Sequence, residues 1–546
     1  MLNKAQAAMV AEYYPILRPY TDFLVMDDVK FVMQYLSSFS FGLQKLIMRK
    51  YFSYHERFER NTFLRNLVTD IQAKLPKSAK AVDVSSEHIS YMVDTLIQGV
   101  SRIDTHIRRR ERRENRAKTP YTYSGSIHTD QILYTELSSY MEQLNIEPPR
   151  PDTKITQAAC IRRMLNYGYL RRRLRKIMSQ LTAHVETLIG DVSKYRSIYA
   201  GRETVKAYQR NQEAALHYLK SNMLTNGSEV ISLYDAHMSS VANPINRRNE
   251  LMTRIAGTES IANERGDKGL FITITCPSKY HNTHARSGMR NDKWNGAMPK
   301  DGQAYLNTLW QRARAELHRR SIQVYGFRVV EPQHDGTPHW HMLLFVSPNQ
   351  ADELCEVIRE YALQEDSNER GAKENRCDIK PIDKSRGSAA GYIAKYIAKN
   401  IDGMGLEAGV YGECPNVAAL HVAAWASTWG VRQFQALGQP SVTVYREARR
   451  WREALPESSP FEPIRQAADM GDWAAYTHLM GGVGVGHAKR PVKPLYDTPV
   501  DTETGQLSVT KFDQELVKRL TGITNGHSNL ITRLHNWARV SSHEAV

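Results

Sequence analysis

Two histidines separated by one residue stand in "EPQHDGTPHWHMLLF", Glu331 to Phe345. Residues two apart on a strand project to the same side, so His339 and His341 point together while Trp340 and Met342 face the opposite layer. Two neighbouring imidazoles suit a divalent metal, provided a third ligand is near. Glu331 ends the preceding strand, and a hairpin turning at Asp335-Gly336 folds it back towards His339. A carboxylate with two histidines leaves coordination positions open for water and phosphate oxygens. His334, in the turn, is the weaker candidate because turn geometry is less fixed. The competing reading is a pair of half-buried strand histidines bonded to their neighbours. A bare H-x-H favours that reading, and the carboxylate across the hairpin shifts the balance towards metal.

Downstream, "AAGYIAKYIAKNI", Ala389 to Ile401, carries two tyrosines four residues apart. On a helical wheel Lys395, Tyr396 and Lys399 fall within about a quarter-turn of Tyr392. Ala390, Ile393, Ala394, Ile397, Ala398 and Ile401 fall on the other side. Ser388 is the expected N-cap and Gly403 the expected stop. Tyrosines at this spacing are ordinarily core residues, but here Ile and Ala already fill the core face. Two phenols and two ammonium groups on one exposed stripe suit phosphate. A nearby lysine favours the phenolate over the phenol, whose ordinary pKa is ~10. Attack by such a tyrosine on a DNA phosphodiester gives a phosphotyrosine and releases a 3′ hydroxyl. A divalent metal at the histidines polarises the phosphoryl oxygens.

These residues need a scaffold, and the pattern changes near Lys268 to supply one. "GLFITITCPS" alternates and is rich in Ile and Thr, as a strand is. "QAYLNTLWQRARAELHRRSI" follows as an amphipathic helix. "VYGFRVVE" and "HWHMLLFV" form the hairpin, "QADELCEVIREYAL" is a further helix, and "RCDIKPID" is a short strand before the tyrosine helix. That order predicts an α+β unit with a mainly antiparallel sheet and helices on one face. Residues 1–250 read as mostly helical. In "YLRRRLRKIMSQL" Leu170, Leu174, Ile177 and Leu181 share one face. "EPPRPDTK", Glu147 to Lys154, is a proline-rich break. "IRRRERRENRAK", Ile107 to Lys118, is a dense basic run, equally readable as a solvated helix face or a DNA-backbone contact. From Met404 to Met480 the pattern is helical again. Lys489 to Gly505 reads as an extended linker. The expected organisation is 1–250, a mostly helical basic region; 251–455, the catalytic unit; and 456–546, a helical C-terminal extension.

At 546 residues the chain exceeds what one core organises. Lys plus Arg outnumber Asp plus Glu by 73 to 58, a formal +15, which points to a polyanionic partner and above all nucleic acid. Five scattered cysteines form no C-x-x-C pair, which fits a reducing cytosol and excludes a zinc ribbon. The first residues lack the apolar run of a signal peptide, and the longest uncharged stretch contains Pro, Asn, His, Ser and Thr, so no membrane partner is expected.

"FITITCPSKYH" (Phe271 to His281), "EPQHDGTPHWHMLLF" and "GSAAGYIAKYIAKNID" resemble, in this order, the three motifs of HUH endonucleases that start rolling-circle replication. With "WASTWGVRQFQALGQPSVTVYREARR", Trp425 to Arg450, the chain is similar to the phage replication gene A (GPA) family. The resemblance is specific over roughly residues 250–450. It implies a palm-like antiparallel sheet, a divalent metal (Mg²⁺ or Mn²⁺) on His339 and His341, and catalytic Tyr392 and Tyr396. Glu331 as third ligand follows the pattern of related enzymes. The implied activity is nicking of one strand of single-stranded origin DNA, with the enzyme held on the 5′ phosphate and Lys395 and Lys399 contacting phosphate. The host's replicative helicase and DNA polymerase are the implied partners, in the cytoplasm of the bacterial host. "GGVGVGHAKR", Gly481 to Arg490, has His487 and Ala488 where an ATP-binding phosphate loop has Lys and Ser/Thr, so no ATP is expected. Other readings are a relaxase or transposase of the same superfamily, a water-activating metal nuclease, and a non-enzymatic DNA-binding or packaging protein.

Overall fold

The computed structural model describes residues 1–546 except 117–124, 384, 386, 406, 409–411, 501–503 and 542–546. The chain sorts into two compact units. One comprises residues 1–191, 201–204 and 499–517; the other comprises 192–200, 205–498 and 518–546.

The first unit is helical. Its long helices, among them Arg57–Lys74, Ser86–Arg116, Gly125–Gln143 and Tyr167–Leu188, bury one apolar face each. Leu170, Leu174, Met178 and Leu181 line the inner face of Tyr167–Leu188 at helical spacing. The predicted break at Glu147 to Lys154 lies between helices. Within the basic run the helix continues through Arg116, Ile107 is buried and Arg108 pairs with Asp104 at 2.7 Å. Ala117 and Lys118 of that run lie outside the described residues.

The second unit is built on a five-stranded antiparallel sheet. In chain order its elements are helix α1 (Pro244–Arg265), strand β1 (Lys268–Ile274), helix α2 (Pro299–Arg319), strands β2 (Tyr325–Pro332) and β3 (Pro338–Val346), helix α3 (Ala351–Ala362), strand β4 (Cys377–Pro381), helix α4 (Ala389–Ile401), helix α5 (Pro415–Trp429) and strand β5 (Phe434–Leu437). The strand order is β4-β1-β3-β2-β5, with every pairing antiparallel. β2 and β3 form the predicted hairpin. Its turn closes by a 2.8 Å bond from the Gln333 N–H to the Thr337 carbonyl, and Gly336 takes the positive φ of 82° that favours glycine.

Helices cover both faces of this sheet. Leu343, Phe345, Phe327 and Val329 on one face pack with Leu251 and Ile255 of α1 and Ile393 and Ile397 of α4. On the other face the Trp340 indole N–H donates to Gln303 of α2 at 3.1 Å. The expectation of helices on one face is corrected accordingly. The reason is visible in β3, which is buried at eight of its nine positions, as a strand between two layers must be.

The C-terminal extension is also corrected. It contains two short helices, Glu462–Asp469 and Trp473–Leu479, but then forms a three-stranded antiparallel sheet of Lys493–Asp497, Arg519–Thr524 and Asn529–Ile531. The expected linker supplies the first of these strands. A last strand, Ala538–Ser541, pairs with Asn222–Thr225. Strands this short carry too few alternations to stand out from a linker. Among the described residues no helix is long and apolar enough to cross a membrane.

Candidate active site

The sheet register brings three side chains onto one face. Glu331 lies directly across from His339, and His341 lies across from Val329 on one side and Thr273 on the other. One ligand atom each from Glu331, His339 and His341 lies within 4.8 Å of the others. The two Nε2 atoms are 2.8 Å apart, and His341 Nε2 is 3.8 Å from Glu331 Oε2. His334 is not in this group; its Nε2 lies 3.2 Å from Thr283 Oγ1 in the hairpin turn.

This donor set fits a divalent cation. Ligand atoms at ~2.1 Å and at right angles about one ion are about 3 Å apart, close to the observed imidazole spacing. Burial draws the His339 pKa down to about 3, with Lys399 adding to the effect. Burial, His339 and Lys399 hold His341 well below its ordinary value. Both rings are therefore neutral near pH 7 and offer lone pairs. Thr273 Oγ1 lies 3.1 Å from His341 Nδ1. A proton on that nitrogen leaves Nε2 as the ligand atom.

Burial raises the pKa of Glu331, while Lys399 and Asn400 oppose the rise. Lys399 Nζ donates to Oε2 at 2.8 Å and Asn400 Nδ2 to Oε1 at 2.6 Å. Each carboxylate oxygen thus has its own donor on α4.

The tyrosine helix α4 begins and ends as its sequence predicts. Ser388 Oγ accepts from the Gly391 N–H at 3.0 Å, and Gly403 takes a φ of 69° just past the end. Helix α1 grips it at both ends. The Glu259 carboxylate accepts from the N–H groups of Ala389 and Ala390 at 2.7 and 2.9 Å, where the helix N-terminus favours negative charge. Arg248 pairs with Asp402 beyond the other end.

Held this way, α4 presents Tyr396 against the histidines. The Tyr396 and His341 ring centroids are 4.0 Å apart. Phe271 lies beneath both tyrosines, 5.3 Å from Tyr396 and 6.4 Å from Tyr392. Lys395 is exposed, with its Nζ 4.9 Å from the centre of the Tyr396 ring. The exposed stripe expected from the helical wheel is therefore incomplete. Lys399 is buried on Glu331 and packs over the Tyr199 ring at 4.9 Å. The expected phenolate is not favoured at Tyr396 either. Burial, followed by Glu331 and Asp378, pushes its pKa up to about 12.

The model of the family described as "Bacteriophage replication gene A protein (GPA)" matches residues 115–404, which include every residue of this cluster up to Asn400. The chain belongs to this family. Among the gene A relatives, the replication gene A protein of Escherichia phage 186 is 40% identical over 414 residues, covering 72% of this chain and 59% of its own length. The replication gene A protein of Escherichia phage P2 is 38% identical over 443 residues, covering 76% and 57%. A "Probable replication endonuclease from prophage-like region" of Salmonella paratyphi A is 35% identical over 324 residues, covering 56% and 40%. The chain thus spans roughly half the length of these relatives. No solved structure matches.

Four site residues escaped the sequence reading: Thr273, Glu259, Asn400 and Gln433, whose Nε2 donates to Asn400 Oδ1 at 2.8 Å. Asn400 lies in the quoted motif, and its position one residue after Lys399 was the available signal. Thr273 and Gln433 also lie in quoted motifs, but on elements distant in sequence from the histidines, and nothing local assigns them or Glu259 to the site.

Proposed function

We propose that the chain is a phage replication initiator that nicks one strand of single-stranded origin DNA through a tyrosine–5′-phosphate intermediate. The observation that carries this reading is the 4.0 Å packing of Tyr396 on His341, which sets a nucleophile against the candidate metal ligands. Family membership and the relatives named replication endonucleases support it. His339, His341 and Glu331 would hold Mg²⁺ or Mn²⁺, which when bound polarises the phosphoryl oxygens of the scissile group. The tyrosine oxygen attacks phosphorus, the P–O3′ bond breaks, and the phenolic proton is lost as the 3′ oxygen leaves and gains one. The number of phosphodiester bonds is conserved, so no ATP is consumed. Lys395, exposed beside Tyr396, steadies the phosphate charge. Lys399 acts through Glu331. Host helicase and polymerase would extend the 3′ end in a rolling circle in the bacterial cytoplasm.

A water-activating nuclease is the second reading, favoured by the half-buried setting of Tyr396 beside Glu331, which pushes its pKa up to about 12. The test is incubation with labelled single-stranded origin DNA and Mn²⁺, then denaturing electrophoresis and peptide mapping. A DNA adduct on Tyr392 or Tyr396 is expected. Cleavage without an adduct would establish the second reading.

A further inference from the structure

Gln433 stands just before β5 and contributes no ligand to the metal group. Its carbonyl accepts from the Val330 N–H at 2.8 Å, which fixes it beside the residue preceding Glu331. Its side-chain Nε2 donates to Asn400 Oδ1 at 2.8 Å. Asn400 is 1% exposed, and its Nδ2 donates both to Glu331 Oε1 and to the Tyr396 carbonyl, each at 2.6 Å. The Nδ2 end of this carboxamide meets partners of fixed sign. The Nδ2 side faces two acceptors that cannot donate, namely a carboxylate and a carbonyl. The Oδ1 side faces a donor. Turned over, the amide would set its oxygen against two other oxygens, whichever way the Gln433 amide turned to meet its nitrogen.

We propose that Gln433 and Asn400 are positioning residues of the metal centre. Glu331 and the Tyr396 carbonyl fix the sense of the Asn400 amide, Gln433 supplies the donor that its oxygen then requires, and Asn400 holds the Glu331 carboxylate and the backbone of Tyr396 at a common distance. The edge strand thereby governs both a metal ligand and a nucleophile without touching either metal or DNA. The inference rests on the reading of Glu331, His339 and His341 as a metal site. A buried ligand carboxylate with a misdirected partner loses both orientation and charge compensation, and losses of this kind cost about 10–100-fold in metal affinity.

The sign of the charge at position 433 separates this role from simple electrostatics. In Gln433→Glu the new carboxylate only accepts. Its oxygens then oppose the Asn400 oxygen, and Asn400 can relieve that conflict only by turning its nitrogen away from Glu331. In Gln433→Lys the ammonium only donates, and the native sense of the amide is kept. Coulomb attraction alone would make the Glu variant bind a cation more tightly than the Lys variant. Positioning predicts the reverse.

The experiment is titration of the full chain with Mn²⁺ by calorimetry, without DNA, for the wild type, Gln433→Glu and Gln433→Lys, with circular dichroism to establish folding. The expected order is wild type, then Lys, then Glu, with Glu weaker than wild type by about tenfold. Equal or tighter binding by Glu than by Lys overturns the proposal and leaves the metal site standing. Should Gln433→Glu not fold, Gln433→Met takes its place. It loses the donor without reversing the amide, so a several-fold weakening is expected and wild-type affinity overturns the proposal. A wild type that binds no Mn²⁺ overturns the metal reading and this inference with it.

Discussion

Lys399 Nζ lies 2.8 Å from Glu331 Oε2, and both side chains are buried, at 10% and 1% exposure. A charge pair this deep offsets its desolvation only while both partners remain. Here one partner belongs to the tyrosine helix and the other to the metal group. The lysine supplies a counter-charge that opposes the rise burial imposes on the Glu331 pKa, and it occupies the oxygen that faces the imidazoles. Glu331 thus already has an internal cation, with which an added one would compete.

Lys399→Met should therefore destabilise the metal-free protein by about 3 kcal/mol, the scale of an uncompensated buried charge. Mn²⁺ should raise the unfolding midpoint of the variant more than that of the wild type, because the added cation becomes the counter-ion for Glu331. Urea unfolding with and without Mn²⁺ measures both effects. Identical metal-induced shifts in the two proteins would show that Glu331 is not a ligand.

His339→Ala and His341→Ala should abolish cleavage of origin DNA while leaving DNA binding strong and salt-sensitive. Binding draws on many cationic contacts, and each contributes to the salt slope. EDTA should reproduce the loss in the wild type, and Mg²⁺ or Mn²⁺ should reverse it. His341 also stacks on Phe271 and packs at a tilt against Tyr396, so its alanine variant should lose stability as well, by about 2–4 kcal/mol. Full cleavage in chelator would refute the metal role.

A pH effect is expected in the helical unit. Glu186 is fully buried, and burial lifts its pKa to about 8 despite bonds from Thr204 Oγ1 and the N–H of Glu203, each at 2.5 Å. Between its ordinary value of 4.5 and 8, the folded chain keeps a proton that the unfolded chain has released. Stability therefore falls as pH rises through that window. Glu186→Gln should remove this slope and stabilise the protein at pH 8 by about 1–3 kcal/mol. Unfolding midpoints at pH 5 and pH 8 provide the check, and parallel shifts for both proteins would contradict the buried neutral carboxyl.

The histidine–glutamate group was legible because a hairpin with a fixed turn converts sequence offsets into register. With His334, Asp335 and Gly336 as a three-residue loop closed by Gln333 and Thr337, Glu331 must face His339; a two-residue turn at Asp335-Gly336 would have set it against Trp340. Helix caps were legible for the same local reason. Depth was not. A wheel places Lys399 beside Tyr392 in angle but says nothing of what packs there, and the structure seats it on Glu331. Glu259, Thr273 and Gln433 reach the site from separate elements, and only the assembled fold makes them neighbours. The C-terminal strands were missed because segments as short as Asn529–Ile531 show no period.

The last prediction concerns the two tyrosines. Tyr392 and Tyr396 are one helical turn apart, a rise of ~6 Å, and both rings contact Phe271. Both can therefore serve one phosphate site without rebuilding it. Their settings differ, since Tyr396 packs against His341 and its burial holds it as a phenol. On the proposed rolling-circle reading, replication regenerates the origin while the first tyrosine still holds the old 5′ end. A second nucleophile must then cut the new junction, and the 3′ hydroxyl it releases attacks the first phosphotyrosine and closes the circle. Tyr→Phe preserves the ring packing, so each single variant should fold normally and cleave a short origin oligonucleotide to a reduced extent. Each should fail at repeated circle release, and the double variant should form no covalent adduct. Joining of two origin oligonucleotides, followed by replication of an origin plasmid with host helicase and polymerase, measures this. A single variant that sustained circle release at the wild-type rate would make its missing phenol a packing residue.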